Sequence, residues 1–129
     1  MKQNIQQQRA HHALTTIRKW KQSDQYSGKR LQSYASGLPA MILTNGLGQA
    51  LAFCLTKKEP EYKALYRLLE NWLLTERQIF ETNAPKNLID AVTQSDMQTY
   101  QTAQTEALLY LDWVKKLVKG LIKTEKTED

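Results

Sequence analysis

From Leu38 to Phe53 the chain carries no charged side chain, although 24% of its 129 residues are charged. The run reads Leu38-Pro39-Ala40-Met41-Ile42-Leu43-Thr44-Asn45-Gly46-Leu47-Gly48-Gln49-Ala50-Leu51-Ala52-Phe53, with two glycines and one proline inside it. A segment without charge is usually buried, and glycines inside a buried helix mark close backbone approach or a bend. Asn45-Gly46 would signal a hairpin between alternating strands, but its flanks are continuous apolar runs, so it reads as a bend between two helical halves. The segment is therefore expected to be a buried helical spine.

The rest of the chain repeats one period. Ala10, Ala13, Leu14, Ile17 and Trp20 make the stripe of a first amphipathic helix, with Arg9, Arg18, Lys19 and Lys21 largely off it. Gln22 to Gly28 is a break, with Ser23 and Asp24 as possible caps. A second helix is expected from Lys29 to Ala35, closed by Gly37, and Pro39 suits the first turn of a third that reaches about Lys57. Pro60 opens a fourth helix through Tyr62, Leu65, Leu69, Trp72 and Leu73 to about Phe80. Thr82 to Pro85 is the clearest loop. A short helix follows over Leu88 to Val92, and Ser95 or Asp96 caps a last long one whose stripe runs from Tyr100 to Leu121.

Strand-like alternation is absent, and five glycines and three prolines are too few for a many-stranded sheet. The expected fold is all-α: one compact bundle domain of five to six helices over residues 1–129, with 124–129 a frayed tail. Nothing at the start resembles a signal peptide, and the uncharged stretch is too interrupted by polar residues to span a membrane, so a soluble cytoplasmic protein is expected. The single cysteine, Cys54, rules out an intrachain disulfide and reads as a small buried hydrophobe.

Catalytic chemistry finds little support. His11 and His12 are the only histidines; adjacent on a helix they point about 100° apart and make no ligand pair. They read as surface residues of a basic helix. Asp24, Asp90, Asp96 and Asp112 are scattered, Glu70 and Glu76 read as solvated, and Gly46-Leu47-Gly48 lacks the context of a phosphate loop. No metal, cofactor or enzymatic activity is expected.

Charge is more informative. Residues 1–37 carry seven basic side chains against Asp24 alone, a balance of +6, whereas the remainder balances at −1, for the overall +5. That asymmetry points to an anionic partner, nucleic acid first. Aromatics lie among the cations: Trp20 between Lys19 and Lys21, Tyr26 and Tyr34 around Lys29 and Arg30, Tyr66 beside Arg67. Trp20, Tyr62, Trp72 and Tyr100 lie on apolar stripes and belong to the core, which leaves the lysines and arginines as the contact candidates. Lys115, Lys116, Lys119 and Lys123 add to them from the last helix.

Several pieces occur together in a known order. They are the leading basic helix with Arg9 and Ala10; Leu38 to Ile42 followed by Asn45 to Phe53; Leu69-Glu70-Asn71-Trp72-Leu73; and Thr99 to Leu108 continuing to Leu111-Asp112-Trp113-Val114-Lys115-Lys116. In this the chain resembles the small-subunit family of the type III-B CRISPR effector, the Cmr complex. The resemblance implies a non-catalytic all-α subunit. Its copies would stack beside a backbone filament and line the groove that holds guide RNA paired with target RNA. Its partners would be other Cmr subunits and neighbouring copies of itself. The RNA-contact candidates are then Arg9, Arg18, Lys19, Lys21, Lys29, Arg30, Lys57, Lys58, Lys115, Lys116 and Lys119. The competing readings are a helical protein–protein adaptor whose basic face is incidental and, more distantly, a small metal-independent nuclease.

Overall fold

The computed structural model describes residues 2–124, so the expected fraying of 125–129 lies outside the described residues. Six α-helices follow one another: α1 Ile5–Gln22, α2 Gly28–Asn45, α3 Leu47–Thr56, α4 Pro60–Glu70, α5 Leu88–Gln94 and α6 Met97–Leu121. A π-helical segment, Asn71–Glu76, continues α4. No strand occurs among the described residues, and the all-α expectation holds.

Polar side chains start several of these helices. Asn4 and Gln7 form a reciprocal capping box on α1, Ser27 accepts from Arg30 N on α2, Asn87 from Asp90 N on α5, and Asp96 from Thr99 N on α6. The expected caps at Ser23 and Asp24 are corrected to Ser27, because α1 runs on to Gln22 and Ser23 closes it.

The spine is present and is interrupted at Asn45-Gly46 as expected, but the break expected at Gly37 is absent. α2 continues through Gly37 and Pro39 without interruption. Pro39 removes one i→i−4 hydrogen bond. The helix is carried through by its buried seam of Leu31, Ala35, Leu38 and Ile42, spaced four, three and four apart. Gly37 sits on the exposed side, where a Cβ would meet nothing within 4 Å, so nothing there demands a glycine. The break is at Gly46, whose φ of 92° and ψ of 159° lie in a region open essentially to glycine alone. Its N–H closes α2 on Ile42 O at 2.7 Å and its carbonyl accepts from Ala50 N at 3.1 Å, so one residue ends one helix and starts the next.

α3 has no cap of its own. Instead α6 supplies one: Gln104 Oε1 accepts from Leu47 N at 2.9 Å and Tyr100 Oη from Gly48 N at 2.8 Å. Gly46→Ala is expected to cost about 1–3 kcal/mol through backbone strain. A Cβ would also lie 3.1 Å from Tyr100 Oη. Urea unfolding checks this, and an unchanged midpoint would contradict it.

α6 is the long element against which α1 and α2 pack most extensively. α2 runs antiparallel to it: Gln32 donates to Ile122 O at one end, while Leu47 and Gly48 meet Gln104 and Tyr100 at the other. The expected fourth helix to Phe80 is shortened. The backbone widens at Asn71, with Arg77 N bonding Trp72 O at 2.8 Å, and turns away at Gln78, where φ is 49°. Cys54 is fully buried, and burial pushes its thiol up to about 11.

Candidate nucleic-acid interface

The topology gathers the basic residues. The end of α1, the start of α2, the start of α4 and the end of α6 meet at one end of the bundle. Ser27 N donates to Glu61 Oε2 at 2.6 Å, and Arg30 Nη1 lies 3.8 Å from the same oxygen, which ties the α1–α2 turn to α4. A Cβ built on Gly28 would fall 2.1 Å from Lys123 O, so the chain after α6 lies directly on the start of α2. Arg18, Lys19 and Lys21 stand exposed on the last turns of α1, Lys29 and Arg30 on the first turn of α2, and Lys119 near the end of α6. Lys115 stands one turn before Lys119 and is exposed too. Lys116 is exposed and pairs with Asp112 at 2.9 Å, one turn back on its own helix.

Lys57 and Lys58 precede α4 at the same end. Lys57 Nζ lies 4.7 Å from the centre of the Phe53 ring, a cation–π contact, whereas Lys58 is exposed. Phe53 meets Tyr62 edge-on at 5.3 Å, and Tyr62 stacks on Tyr34 at 3.7 Å. Burial raises both phenols above their usual value, helped at Tyr34 by Glu59 and opposed by Arg30.

Arg9 departs from the expectation. It is a buried residue: Nε donates to Glu106 Oε2 at 2.7 Å and Nη2 to Glu106 Oε1 at 2.9 Å, in a bidentate pair. Trp72 Nε1 donates to the same carboxylate at 2.9 Å, and Arg77 Nε stands 3.8 Å away. Arg9 falls four residues before Ala13 and eight before Ile17, so it lies on the buried stripe. A charged residue in phase with the seam was the signal that it belongs inside. Its guanidinium joins α1 to α6 and is spent on that contact.

His12 also departs from a simple surface reading. It is half-buried, with Nε2–H donating to Asn71 Oδ1 at 2.6 Å and Nδ1 accepting the Tyr110 hydroxyl at 2.5 Å, in the tautomer that satisfies both. Trp72 stacks on Tyr110 at 5.0 Å beside it. The expectation that Glu70 is solvated changes as well: its Oε2 accepts from Leu88 N at 2.9 Å and so caps α5 together with Asn87.

Two basic residues of α4, Lys63 and Arg67, were not among the final candidates. Arg67, exposed on α4, shares a cleft with Lys19 of α1, and Lys63 stands exposed one turn before it. The i, i+4 pair of cations Lys63 and Arg67, off the apolar stripe of α4, was the available signal. No group of three or more histidine, cysteine or acidic side chains that could hold a metal occurs among the described residues, and none of their helices is long and apolar enough to cross a membrane.

Known proteins share this architecture. A family model described as CRISPR-associated protein (Cas_Cmr5) matches residues 5–121. The crystal structure of a CRISPR-associated Cmr5 family protein from Thermus thermophilus is similar, with a TM-score of 0.75 and 24% identity, over 94% of this chain and 100% of that one. At that identity the likeness is one of fold.

Proposed function

Because this chain belongs to the Cas_Cmr5 family of CRISPR-associated proteins, the small subunits of type III-B Cmr complexes, we propose that it is a non-catalytic cytoplasmic subunit that lines the groove holding guide and target RNA. The observation that carries the reading is the convergence of Arg18, Lys19, Lys21, Lys29, Arg30, Lys58 and Lys119 at one end of the bundle. Cations from three helices and the α3–α4 linker at one end can follow a phosphate backbone, independent of base sequence, while the guide reads sequence by pairing. Among the described residues the carboxylates at that end do little to cancel them: Glu61 is buried on Ser27 N and beside Arg30, which leaves Asp24 and Glu59.

Counterion release supplies the test. Target-RNA affinity of the assembled complex should fall steeply with salt, and complexes assembled without this chain should show a slope of log K against log salt shallower by about 2 or more. An unchanged slope would overturn the proposal. It would favour the adaptor reading, in which the chain only joins other subunits.

A further inference from the structure

Between α1 and α4 lies a cleft of about 280 Å³ with an unusual wall. Lys19 and Arg67 line it from opposite helices, together with Thr16, Tyr26, His12 and Asn71. No carboxylate lines it, and neither Lys19 nor Arg67 is in an ion pair among the described residues. Thr16 and Tyr26 bring hydroxyls that bond no group among the described residues, whereas His12 and Asn71 are already bonded to each other. Two cations and two residues with spare hydroxyls lining one concave space, with no acid in its wall, are the complement of a tetrahedral oxyanion. The groove continues past Asn71 and Trp72 to Glu76, whose charge disfavours an anion in that half.

Resting on the RNA-binding reading above, we infer that this cleft is a discrete subsite for one phosphodiester of an RNA strand, gripped by Lys19 and Arg67. The remaining basic residues act as a diffuse field on an open surface, while here one phosphate enters a walled site. Arg67 presents its planar fork to two phosphate oxygens, Lys19 adds a point charge, and Thr16 and Tyr26 complete the donor set. The site therefore sets where along the strand the subunit sits, which a field alone does not.

The test uses the isotope-labelled full chain titrated separately with inorganic phosphate, uridine 5′-monophosphate and a short oligouridine bearing hydroxyls at both ends. All three should shift the amide signals of Thr16, Lys19, Arg67 and Asn71 saturably, and phosphate should compete with the oligonucleotide. Arg67→Glu and Lys19→Glu should each weaken all three by about tenfold or more, and Arg67→Lys by about threefold, because lysine keeps the charge and loses the fork. Lys86→Glu, on the distant loop before α5, should change nothing. Binding of the monoesters without the hydroxyl-ended strand would overturn the assignment to a phosphodiester. Shifts that miss the cleft, or that Lys86→Glu abolishes equally, would overturn the site.

The two readings fail separately. If target RNA is held by the assembled complex equally well with Arg67→Glu but is lost on reversing charges outside the cleft, the subsite falls and the proposed function stands. If phosphate and oligonucleotide fill the cleft of the isolated chain while the complex binds its target equally well without this subunit, the proposed function falls and the cleft stands.

Discussion

Glu106→Ala should be the most damaging single substitution in this protein, costing about 3–5 kcal/mol of folding stability. The carboxylate accepts two hydrogen bonds from Arg9 and one from Trp72, and it joins α1, the π-helical segment and α6 at a buried point. Removing it leaves a buried guanidinium without a counter-charge and a buried indole N–H without an acceptor. Small domains are stable by about 5–15 kcal/mol in all, so the variant should be largely unfolded at modest urea. The companion experiment replaces the pair together, Arg9→Met with Glu106→Leu. Two apolar side chains of similar bulk leave no orphan charge, so the double variant should recover most of the loss. Urea midpoints of the two variants decide it; a double variant as unstable as the single one would mean that the ion pair is not the source of the cost.

The same carboxylate sets an acid limit. Burial pushes the Glu106 carboxyl up, but hydrogen bonds from Arg9 and Trp72 and the charges of Arg9 and Arg77 outweigh it and hold it below the usual value. A folded-state value below the unfolded one contributes stability that is fully present above the unfolded carboxyl value, about 4.3. That contribution is lost as pH falls from there through the depressed folded value.

Reversing the basic end should abolish RNA binding without touching the fold. In the combined variant Arg18→Glu, Lys21→Glu and Lys29→Glu, the three altered side chains are exposed, and Arg30 is kept as the counter-charge of buried Glu61. Each change to glutamate removes a possible phosphate contact and adds a repulsion. Affinity of the chain for RNA should drop on the order of 100-fold or more, and the remaining salt slope should flatten. Helical circular dichroism and the urea midpoint should stay near those of the parent. Unchanged RNA affinity in a folded variant would remove the basic end from the function.

Much of the architecture was legible because helices bury a stripe. Ala13, Ile17 and Trp20 on α1, and Ala103, Ala107, Tyr110, Val114 and Val118 on α6, are buried where their three-and-four spacing places them. Asn87, Asp96 and Pro60 start helices as their types suggest. The path through Gly37 and Pro39 was not legible. Local propensity marks both as breaks, but the seam of Leu31, Ala35, Leu38 and Ile42 buries against neighbours and outweighs them. Absence of charge also proved a weaker sign of burial than periodicity. Leu43 lies in the middle of the uncharged run and is 71% exposed, because it stands off that seam.

For the candidate site, composition located the excess of positive charge but not its sharing among helices. Arg18, Lys21 and Lys29 are exposed, as off-stripe cations should be. Arg9 reads the same way by residue type, yet Glu106, nearly a hundred positions away, draws it into the core. Arg67 reads as a cation paired in sequence with Lys63 and set beside Tyr66, and only the packing of α4 against α1 places it across a cleft from Lys19.

The sequence by itself determined the helical class, most helix starts, the inert Cys54 and the excess of positive charge in the first third of the chain, since each rests on periodicity or residue chemistry within a few positions. Tertiary structure alone decided that α2 runs on through Gly37 and Pro39, and that the helix after Gly46 is capped from α6. It alone decided which cations are spent inside and which share an end of the bundle. Those outcomes depend on contacts between residues far apart in the chain, where a partner's position, and not a residue's own type, sets whether a charge is buried, paired or free.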